Sequence, residues 1–250
     1  MAGQRDRMAL IYGPQALERL RRCRVAVFGL GGVGGYVVEA LARSGVGALD
    51  LIDDDRVALT NLNRQIIALR GTLGQEKTQA MAARVREIDP EITLRVHNTF
   101  FLPETQEEFA FLEYDYVVDA IDTVTGKLAL AERCSRAGVP LLSAMGAGNR
   151  IDPTAIRVSD ISKTSVDPLA RVMRKELKKR GIARLQVAWS TEAPIRPLEL
   201  GTQPDGAGHG KRQTPGSTAF VPAAMGLAIA AQVVRELTAF DPGERRTGMS

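Results

Sequence analysis

Cysteine and histidine are scarce in this sequence, and their scarcity limits the chemistry that the chain can perform. Cys23 and Cys134 are the only cysteines, and neither lies in a CxxC pair or close to a histidine. The spacing typical of a disulfide framework or a zinc site is therefore missing. His97 and His209 are the only histidines, and because neither belongs to a recognisable motif, the sequence indicates no histidine general base.

Long hydrophobic runs are also missing. The N-terminal residues MAGQRDRMAL contain no apolar stretch of the roughly 7–15 residues found in a signal peptide, so we expect the chain to work in the cytoplasm. The longest mostly apolar stretch, residues 219–234, includes Pro222 and Gln232 and is shorter than the ~20 residues of a membrane span. It predicts a buried or dimer-packing helix and no stable membrane insertion.

Charged residues are plentiful but unevenly distributed. The formal net charge is +4, and residues 151–250 carry 15 Lys/Arg against 10 Asp/Glu. The positive excess is concentrated between Arg171 and Arg184, a pattern compatible with a polyanionic partner. With 44% hydrophobic and 25% charged residues, the composition is that of a folded globular chain.

Short apolar runs alternate with segments of helical periodicity. Strands are predicted at 24–28, 48–53, 92–96, within 114–122, at 140–144 and at 156–161. Helices are predicted at 14–22, 36–43, 75–88, 127–137 and 168–180, and the Pro- and Gly-rich residues 192–216 predict a long loop. This alternation predicts an α/β fold, a Rossmann-like, doubly wound and mostly parallel sheet with helices on both faces.

Glycines occupy the turn between the first strand and the following helix. Gly29, Gly31, Gly32 and Gly34 in the run GLGGVG match the pattern GxGxxG, in which missing side chains let backbone amides approach a phosphate or a ribose. The motif alone is weak evidence, because a tight strand-to-helix turn without a ligand needs the same residues. Its position in a βαβ unit favours a nucleotide site.

Acidic and basic residues follow the second strand. Asp53 ends that strand, where a carboxylate can accept hydrogen bonds from ribose hydroxyls, and Asp55 lies two residues further on. The run VALTNLNRQ that comes next ends in a polar cluster of Asn61, Asn63, Arg64 and Gln65. Arg64 and Lys77 are cations of the kind that a triphosphate needs, which argues against a nicotinamide enzyme. For Lys77 alone, a solvated charge on a helix surface is an equally good interpretation.

Two aspartates close the fourth strand. Because ligands of open α/β sheets bind at the carboxyl ends of the strands, Asp119 and Asp122 are both candidates to hold Mg²⁺ against phosphate oxygens. Asp122, at the strand tip, is the predicted metal ligand, whereas Asp119 is interpreted as structural.

Together these motifs carry a resemblance to a known family. GLGGVG, LIDDDRV, TNLNRQ, GQEK and DAIDT, in this order between residues 24 and 148, resemble the ThiF/MoeB/HesA family of ubiquitin-activating-type adenylating enzymes. The resemblance implies a single adenylating domain over residues 1–250, with a nucleotide-binding part at about 14–150 and a basic, substrate-facing part at about 151–240. It also implies the cofactors ATP and Mg²⁺.

The resemblance assigns roles to individual residues. It places Asp53 at the ribose, Asn61, Arg64 and Lys77 at the phosphates, and Asp122 at Mg²⁺-ATP. It further implies a homodimer in which an arginine near the N-terminus reaches the nucleotide of the neighbouring subunit. Arg7 fits that position best, and Arg5 remains an alternative.

The second half of the chain resembles the branch of this family that dehydrates threonylcarbamoyladenosine in tRNA. The matching segments begin with GAGNRIDPTAIRVSDISKTSVDPL and include WSTEAPIRP and AFVPAAMGLAIA. A basic stripe within this part, formed by Arg171, Arg174, Lys175 and Lys178 at helical spacing, suits the phosphate backbone of tRNA. Without the resemblance, a solvated helix face would be the better interpretation.

The branch resemblance implies an ATP-dependent ligase-type reaction in which the carboxylate of the modified adenosine is adenylated and the group then cyclises. No cysteine follows Cys134, so a thioester relay is not expected, whereas intramolecular cyclisation needs no protein nucleophile. Two alternatives stay open: adenylation of the C-terminus of a ubiquitin-like sulfur carrier, and an NAD-dependent oxidoreductase or dinucleotide-binding sensor. The family's associations also allow a sulfur-transfer protein as a partner.

Overall fold

Seven strands form one sheet in the computed structural model, which describes residues 3–198 and 215–245. The strands are β1 Arg24–Phe28, β2 Ala48–Ile52, β3 Thr93–His97, β4 Tyr116–Asp119, β5 Leu141–Ala144, β6 Ile156–Asp160 and β7 Gln186–Ser190. Their order is β3-β2-β1-β4-β5-β7-β6, with β6 antiparallel to β7 and the other pairs parallel. The predicted α/β, mostly parallel sheet is confirmed.

Seven α-helices connect or flank these strands in the described part of the chain. They are α1 Asp6–Tyr12, α2 Pro14–Arg22, α3 Gly34–Ser44, α4 Lys77–Ile88, α5 Val124–Ala137, α6 Pro168–Lys179 and α7 Phe220–Thr238. Helix α4 begins at Lys77, two residues later than predicted, because Glu76 forms a β-bridge with Arg56. The elements α1 and β7 were not predicted.

The two faces of the sheet bury alternate residues of the same strands. Val25 and Val27 of β1 belong to the core beneath α3, α4 and α7, whereas Ala26 and Phe28 belong to an aromatic cluster on the opposite face. Helices α5 and α6 enclose a third cluster against β7. Because both faces of the sheet are covered at its centre, β1 is continuously apolar from Val25 to Phe28, as its sequence indicated.

Helix α7 is the only helix, among those the structure describes, whose length and composition would allow it to cross a membrane. Val221, Met225, Ile229 and Val233 recur at helical spacing and are fully buried against the sheet and α3. One face of α7 is therefore a buried core face, as predicted. Phe220 and Leu227 remain exposed.

The strand order reverses between β1 and β4. From β1 the chain proceeds outward through β2 and β3, and from β4 it proceeds outward in the other direction. Such a switch point leaves a crevice at the carboxyl ends of the two central strands, where open α/β sheets bind ligands. The glycine run follows β1 and Asp122 follows β4, so the sequence motifs meet at this crevice.

Candidate nucleotide-binding site and basic surface

The glycine run packs so tightly that side chains could not replace its first and last glycines. Gly29 has a left-handed φ of 90°, and a Cβ there would approach the carbonyl oxygen of Ala120 to 2.7 Å. A Cβ on Gly34 would overlap the carbonyl oxygen of Gly29. These two glycines close the turn at the start of α3, which leaves the middle of the run to face a ligand.

The carboxylate of Asp53 is held against the glycine run. The backbone amide of Leu30 donates to Oδ2 of Asp53 at 2.6 Å, and that of Asp55 donates to Oδ1 at 2.9 Å. The carboxylate is thus fixed beside the middle of the loop, in the position from which an acidic residue contacts a ribose in dinucleotide folds.

Arg64 and Gln65 lie over the central glycines. A Cβ on Gly32 would be 3.5 Å from Cγ of Arg64, and one on Gly31 would be 3.8 Å from Nε2 of Gln65. Oε1 of Gln65 is buried without a hydrogen-bond partner in the described residues. Unpartnered buried polar atoms are rare in folded chains, and this one belongs to a side chain that lies beside the glycine run.

The guanidinium of Arg64 has no carboxylate partner within the described part of the chain. It donates only to the carbonyl of Thr60 and to Oδ1 of Asn63, both at 3.0 Å. Burial lowers the pKa of Arg64 below its ordinary value, because the charged form loses hydration without gaining a counter-ion. A bound anion would supply the missing countercharge.

Lys77 is not a solvated surface charge. It is 5% exposed, and its ammonium lies 2.6 Å from Oδ2 of Asp55 and 3.7 Å from Oδ1 of Asp53. The start of α4 therefore brings this cation to the same edge as the Asp53 carboxylate. The interpretation of Lys77 as a charge on an open helix surface is wrong.

The two asparagines of the TNLNRQ run have different roles in the structure. The side-chain oxygen of Asn61 accepts from the amide of Ala58 at 3.0 Å and closes a short turn. The side-chain nitrogen of Asn63 donates to the carbonyl of Ser217 at 3.0 Å. The segment that precedes α7 is thereby tied to the edge of the nucleotide site, a contact that the sequence did not reveal.

Asp119 is structural, as interpreted from the sequence. It is fully buried, and Oδ1 accepts the amide of Ile121 at 3.2 Å. Both carboxylate oxygens contact the ammonium of Lys127, at 3.0 and 3.1 Å, and Ser143 donates a further hydrogen bond. Sequence reasoning missed the buried Lys127, because a lysine within a helix normally indicates a solvated position.

Asp122 differs from Asp119 in every respect that matters for metal binding. Its carboxylate is exposed beyond the tip of β4, and none of the described residues pairs with it. A free carboxylate beside a phosphate site suits Mg²⁺, which prefers hard oxygen ligands and keeps several waters. The carboxylates of Asp53, Asp54 and Asp55 also lie within 4.8 Å of one another, but Lys77 already supplies a cation to two of them.

The two N-terminal arginines are placed differently. Arg5 pairs with Asp89 at the end of α4 and packs on Gly45, so its guanidinium is held within its own chain. Arg7, on α1, is exposed and contacts no carboxylate in the described residues. Of the two, Arg7 is the one able to reach another molecule.

The four basic residues predicted on α6 do not share one environment. Arg171, Lys175 and Lys178 are exposed, while the apolar side of the helix buries Ala170, Met173 and Leu177. The guanidinium of Arg174 instead folds back onto the turn before the helix, where it donates to the carbonyl of Thr164 at 3.1 Å and to its hydroxyl. The exposed stripe therefore consists of three cations, and Arg174 anchors the helix.

One groove in the described part of the chain lies away from the glycine run. It measures about 390 Å³ and is lined by residues at the starts of β5 and β7, including Cys134 and Arg184. The starts of parallel strands lie at the sheet edge opposite the glycine run. Burial raises the pKa of the Cys134 thiol to about 12, so this groove presents no reactive nucleophile.

Comparisons with known proteins agree with the family resemblance and with the fold. The model of the ThiF family matches residues 4–249. The chain is 43% identical to the tRNA threonylcarbamoyladenosine dehydratase of Bacillus subtilis over 95% of both chains, and 43% identical to that of Escherichia coli over 78% of this chain and 75% of the relative. The crystal structure of the Escherichia coli enzyme in complex with ATP is similar with a TM-score of 0.82 and 37% identity, covering 96% of this chain and 94% of that one. The glycine run, the cations beside it and a match over nearly the whole length together place this chain in the ThiF family.

Proposed function

We propose that this chain is an ATP-dependent enzyme that adenylates the carboxylate of threonylcarbamoyladenosine in tRNA and lets the activated group cyclise, with net loss of water. The support comes from full-length similarity to enzymes named for this dehydration, one of them crystallised with ATP. The site described above offers the groups that such a reaction requires.

The observation that carries the proposal is the unpaired guanidinium of Arg64. It is half buried and faces no carboxylate among the described residues, and the aliphatic stem that carries it packs beside Gly32. In a dinucleotide site the glycine turn and the helix start bind the pyrophosphate and an acidic residue binds the ribose, whereas an additional cation without a counter-ion beside that turn suits the larger charge of a triphosphate. The NAD-dependent alternative offers no use for it.

In the proposed reaction, a carboxylate oxygen of the substrate attacks the α-phosphorus of ATP. The bond from that phosphorus to the oxygen bridging to the β-phosphate breaks, and pyrophosphate leaves. Arg64 and Lys77 stabilise the negative charge that develops on the phosphates, while Asp53 holds the ribose. A nitrogen of the substrate then attacks the acyl carbon, AMP leaves, and the nitrogen's proton passes to solvent.

Asp122 is the proposed ligand for Mg²⁺, because its exposed carboxylate has no partner among the described residues. When bound there, the metal would neutralise phosphate charge. The remaining cation is proposed to be Arg7 of a second copy in a homodimer. Arg7 is exposed and unpaired in the described residues, whereas Arg5 is engaged with Asp89.

The proposed RNA-binding surface is the exposed face of α6. Arg171, Lys175 and Lys178 point away from the apolar side of the helix, at a spacing that allows all three to contact one phosphate backbone. Asp167, which precedes the helix, contacts the loop after β5 through Arg150. The first turn of α6 therefore lies at the same sheet edge as the nucleotide site.

The test is incubation of the chain with Mg²⁺-ATP and tRNA that carries threonylcarbamoyladenosine. We expect pyrophosphate release that depends on the modified tRNA, together with a product lighter by one water. Arg64→Ala and Asp122→Ala should abolish release while the chain stays folded, and Arg157→Met serves as a surface control. Adenylate formation on a sulfur-carrier protein but not with tRNA would reject the proposed substrate, and tight binding of NAD without ATP would reject the adenylation itself.

A further inference from the structure

A buried arginine joins the nucleotide edge to the basic helix. Arg150 is 3% exposed and follows β5. Its guanidinium donates to the carbonyls of Gly146 and Gly148 in its own loop, to the carbonyl of Glu192 at 3.0 Å beyond β7, and to Oδ2 of Asp167 at 3.0 Å. One side chain thus holds together three segments that are distant in sequence.

Asp167 links this arginine to α6. Its second carboxylate oxygen, Oδ1, accepts the amide of Ala170 at 2.9 Å and caps the first turn of the helix. The ion pair between Asp167 and Arg150 is almost completely buried, with 0% and 2% of the two side chains exposed. The position of the helix start, and therefore of Arg171 in that turn, depends on Arg150.

The residue before Arg150 connects the same loop to the cations over the glycines. Asn149 exchanges hydrogen bonds with Gly216, donating from its amide at 2.7 Å and accepting at its side-chain oxygen at 2.6 Å. Its carbonyl accepts the amide of Ile195 at 2.7 Å. The next residue after Gly216 is Ser217, whose carbonyl binds Asn63, the neighbour of Arg64.

We infer that Arg150 is a positioning residue that fixes the position of the RNA-binding face of α6 relative to the ATP site. The inference rests on the proposed function and adds to it the residue that aligns the ATP site with the tRNA-binding surface. Arg150 touches none of the groups assigned to ATP, and its charge is neutralised by Asp167. Its effect therefore reaches the reaction through the segments that it holds, and among these α6 carries the cations of the proposed RNA-binding surface.

Two substitutions separate this role from general stability. Arg150→Met removes all four contacts, whereas Asp167→Asn removes the charge of the ion pair but keeps an oxygen that can cap Ala170. Arg157→Met is the matched control, since Arg157 lies nearby on β6, is exposed, and donates only to the carbonyls of Thr154 and Ile156.

The experiment measures dissociation constants for ATP and for threonylcarbamoyl-modified tRNA, and kcat and KM for the tRNA, on the full chain. We expect both Arg150→Met and Asp167→Asn to weaken tRNA binding by about ten-fold, a size typical of coupling between sites. The affinity for ATP should stay within about two-fold of the unsubstituted chain, and KM for tRNA should rise more than kcat falls.

The outcomes are distinguishable. An unsubstituted chain that neither binds nor turns over the modified tRNA would reject the proposed function and this inference with it. An active chain whose two variants bind tRNA normally would reject the inference alone, as would equal losses of ATP and tRNA affinity. If Arg150→Met does not fold, Asp167→Asn decides by the same criteria.

Discussion

The buried pair of Lys127 and Asp119 allows a sharp prediction of stability. The two side chains are 1% and 0% exposed, and the ammonium also donates to the carbonyl of Ala144 at 2.7 Å. Lys127→Met preserves the length and apolar stem of the side chain but leaves the Asp119 carboxylate buried without a cation. Removing one member of a buried ion pair costs about 3–5 kcal/mol. For a chain of this size that corresponds to a fall of roughly 6–20 °C in Tm.

Urea unfolding followed by circular dichroism measures the loss. The double variant Asp119→Asn/Lys127→Met removes both charges while the Asn side chain can still accept from Ile121, so it should recover a large part of the stability. Arg136→Met is the control on the same helix, because Arg136 pairs with Glu132 at a largely exposed position. Its loss should be below about 1 kcal/mol.

The reasoning would be refuted by a Lys127→Met variant that loses no more than Arg136→Met. It would also be refuted if the double variant were as unstable as Lys127→Met, because the cost is attributed to the carboxylate that remains unpaired. The first result tests whether the ion pair is buried, and the second tests whether the unpaired carboxylate causes the loss of stability.

Three further predictions concern the glycine run, the basic helix and the thiols. Gly34→Ala places a Cβ on the carbonyl of Gly29, so it should lower the free energy of unfolding by about 3 kcal/mol and abolish ATP binding. At Gly71 a Cβ meets nothing within 4 Å, so Gly71→Ala should change neither the stability nor the ATP binding measured by calorimetry. Replacing Arg171, Lys175 and Lys178 by Gln should reduce the slope of the logarithm of the tRNA binding constant against the logarithm of the salt concentration by about 2. Arg174→Gln, which removes an internal anchor, should leave this slope unchanged. Equal slopes in the two variants would contradict the assignment. Burial raises the pKa of the Cys134 thiol to about 12 and that of the Cys23 thiol to about 11, so both remain protonated at pH 8. Mass spectrometry should therefore find iodoacetamide modification of the native chain only as the pH approaches those values. Rapid labelling at pH 8 would disprove this.

Local chemistry accounts for the parts of the fold that were predicted correctly. Continuous apolar runs such as residues 24–28 indicate strands covered on both faces, and their alternation with helical periodicity requires a parallel sheet. The same logic did not find β7, residues 186–190, because only the three residues VAW of its run QVAWS are continuously apolar. Helix α1 was not predicted because it buries none of its residues, and so its sequence lacks the one-sided apolar spacing of a core helix.

The candidate site was predicted residue by residue, but not the state of each residue. The positions of the glycine run and Asp53 at the carboxyl edge of the sheet could be predicted because both follow strands of one βαβ unit. The environments of Lys77 and Arg174 could not be predicted, because the sequence pattern of a basic residue in a helix is the same whether its head group is in water or bonded to another segment. Sequence spacing gives the side of a helix and not what lies against it.

By itself the sequence determined the fold class and most of the strands and helices, because these depend on periodicity and on backbone conformations that neighbouring residues control. Only the tertiary structure decided which charges are paired. Among the described residues it leaves Arg64 without a carboxylate partner, places Lys77 beside two carboxylates, buries Lys127 against Asp119, and pairs Arg150 with Asp167 at the start of α6. Ion pairs between distant segments form wherever the packed chain brings opposite charges together, and that proximity is a property of the assembled sheet and not of any local run of residues.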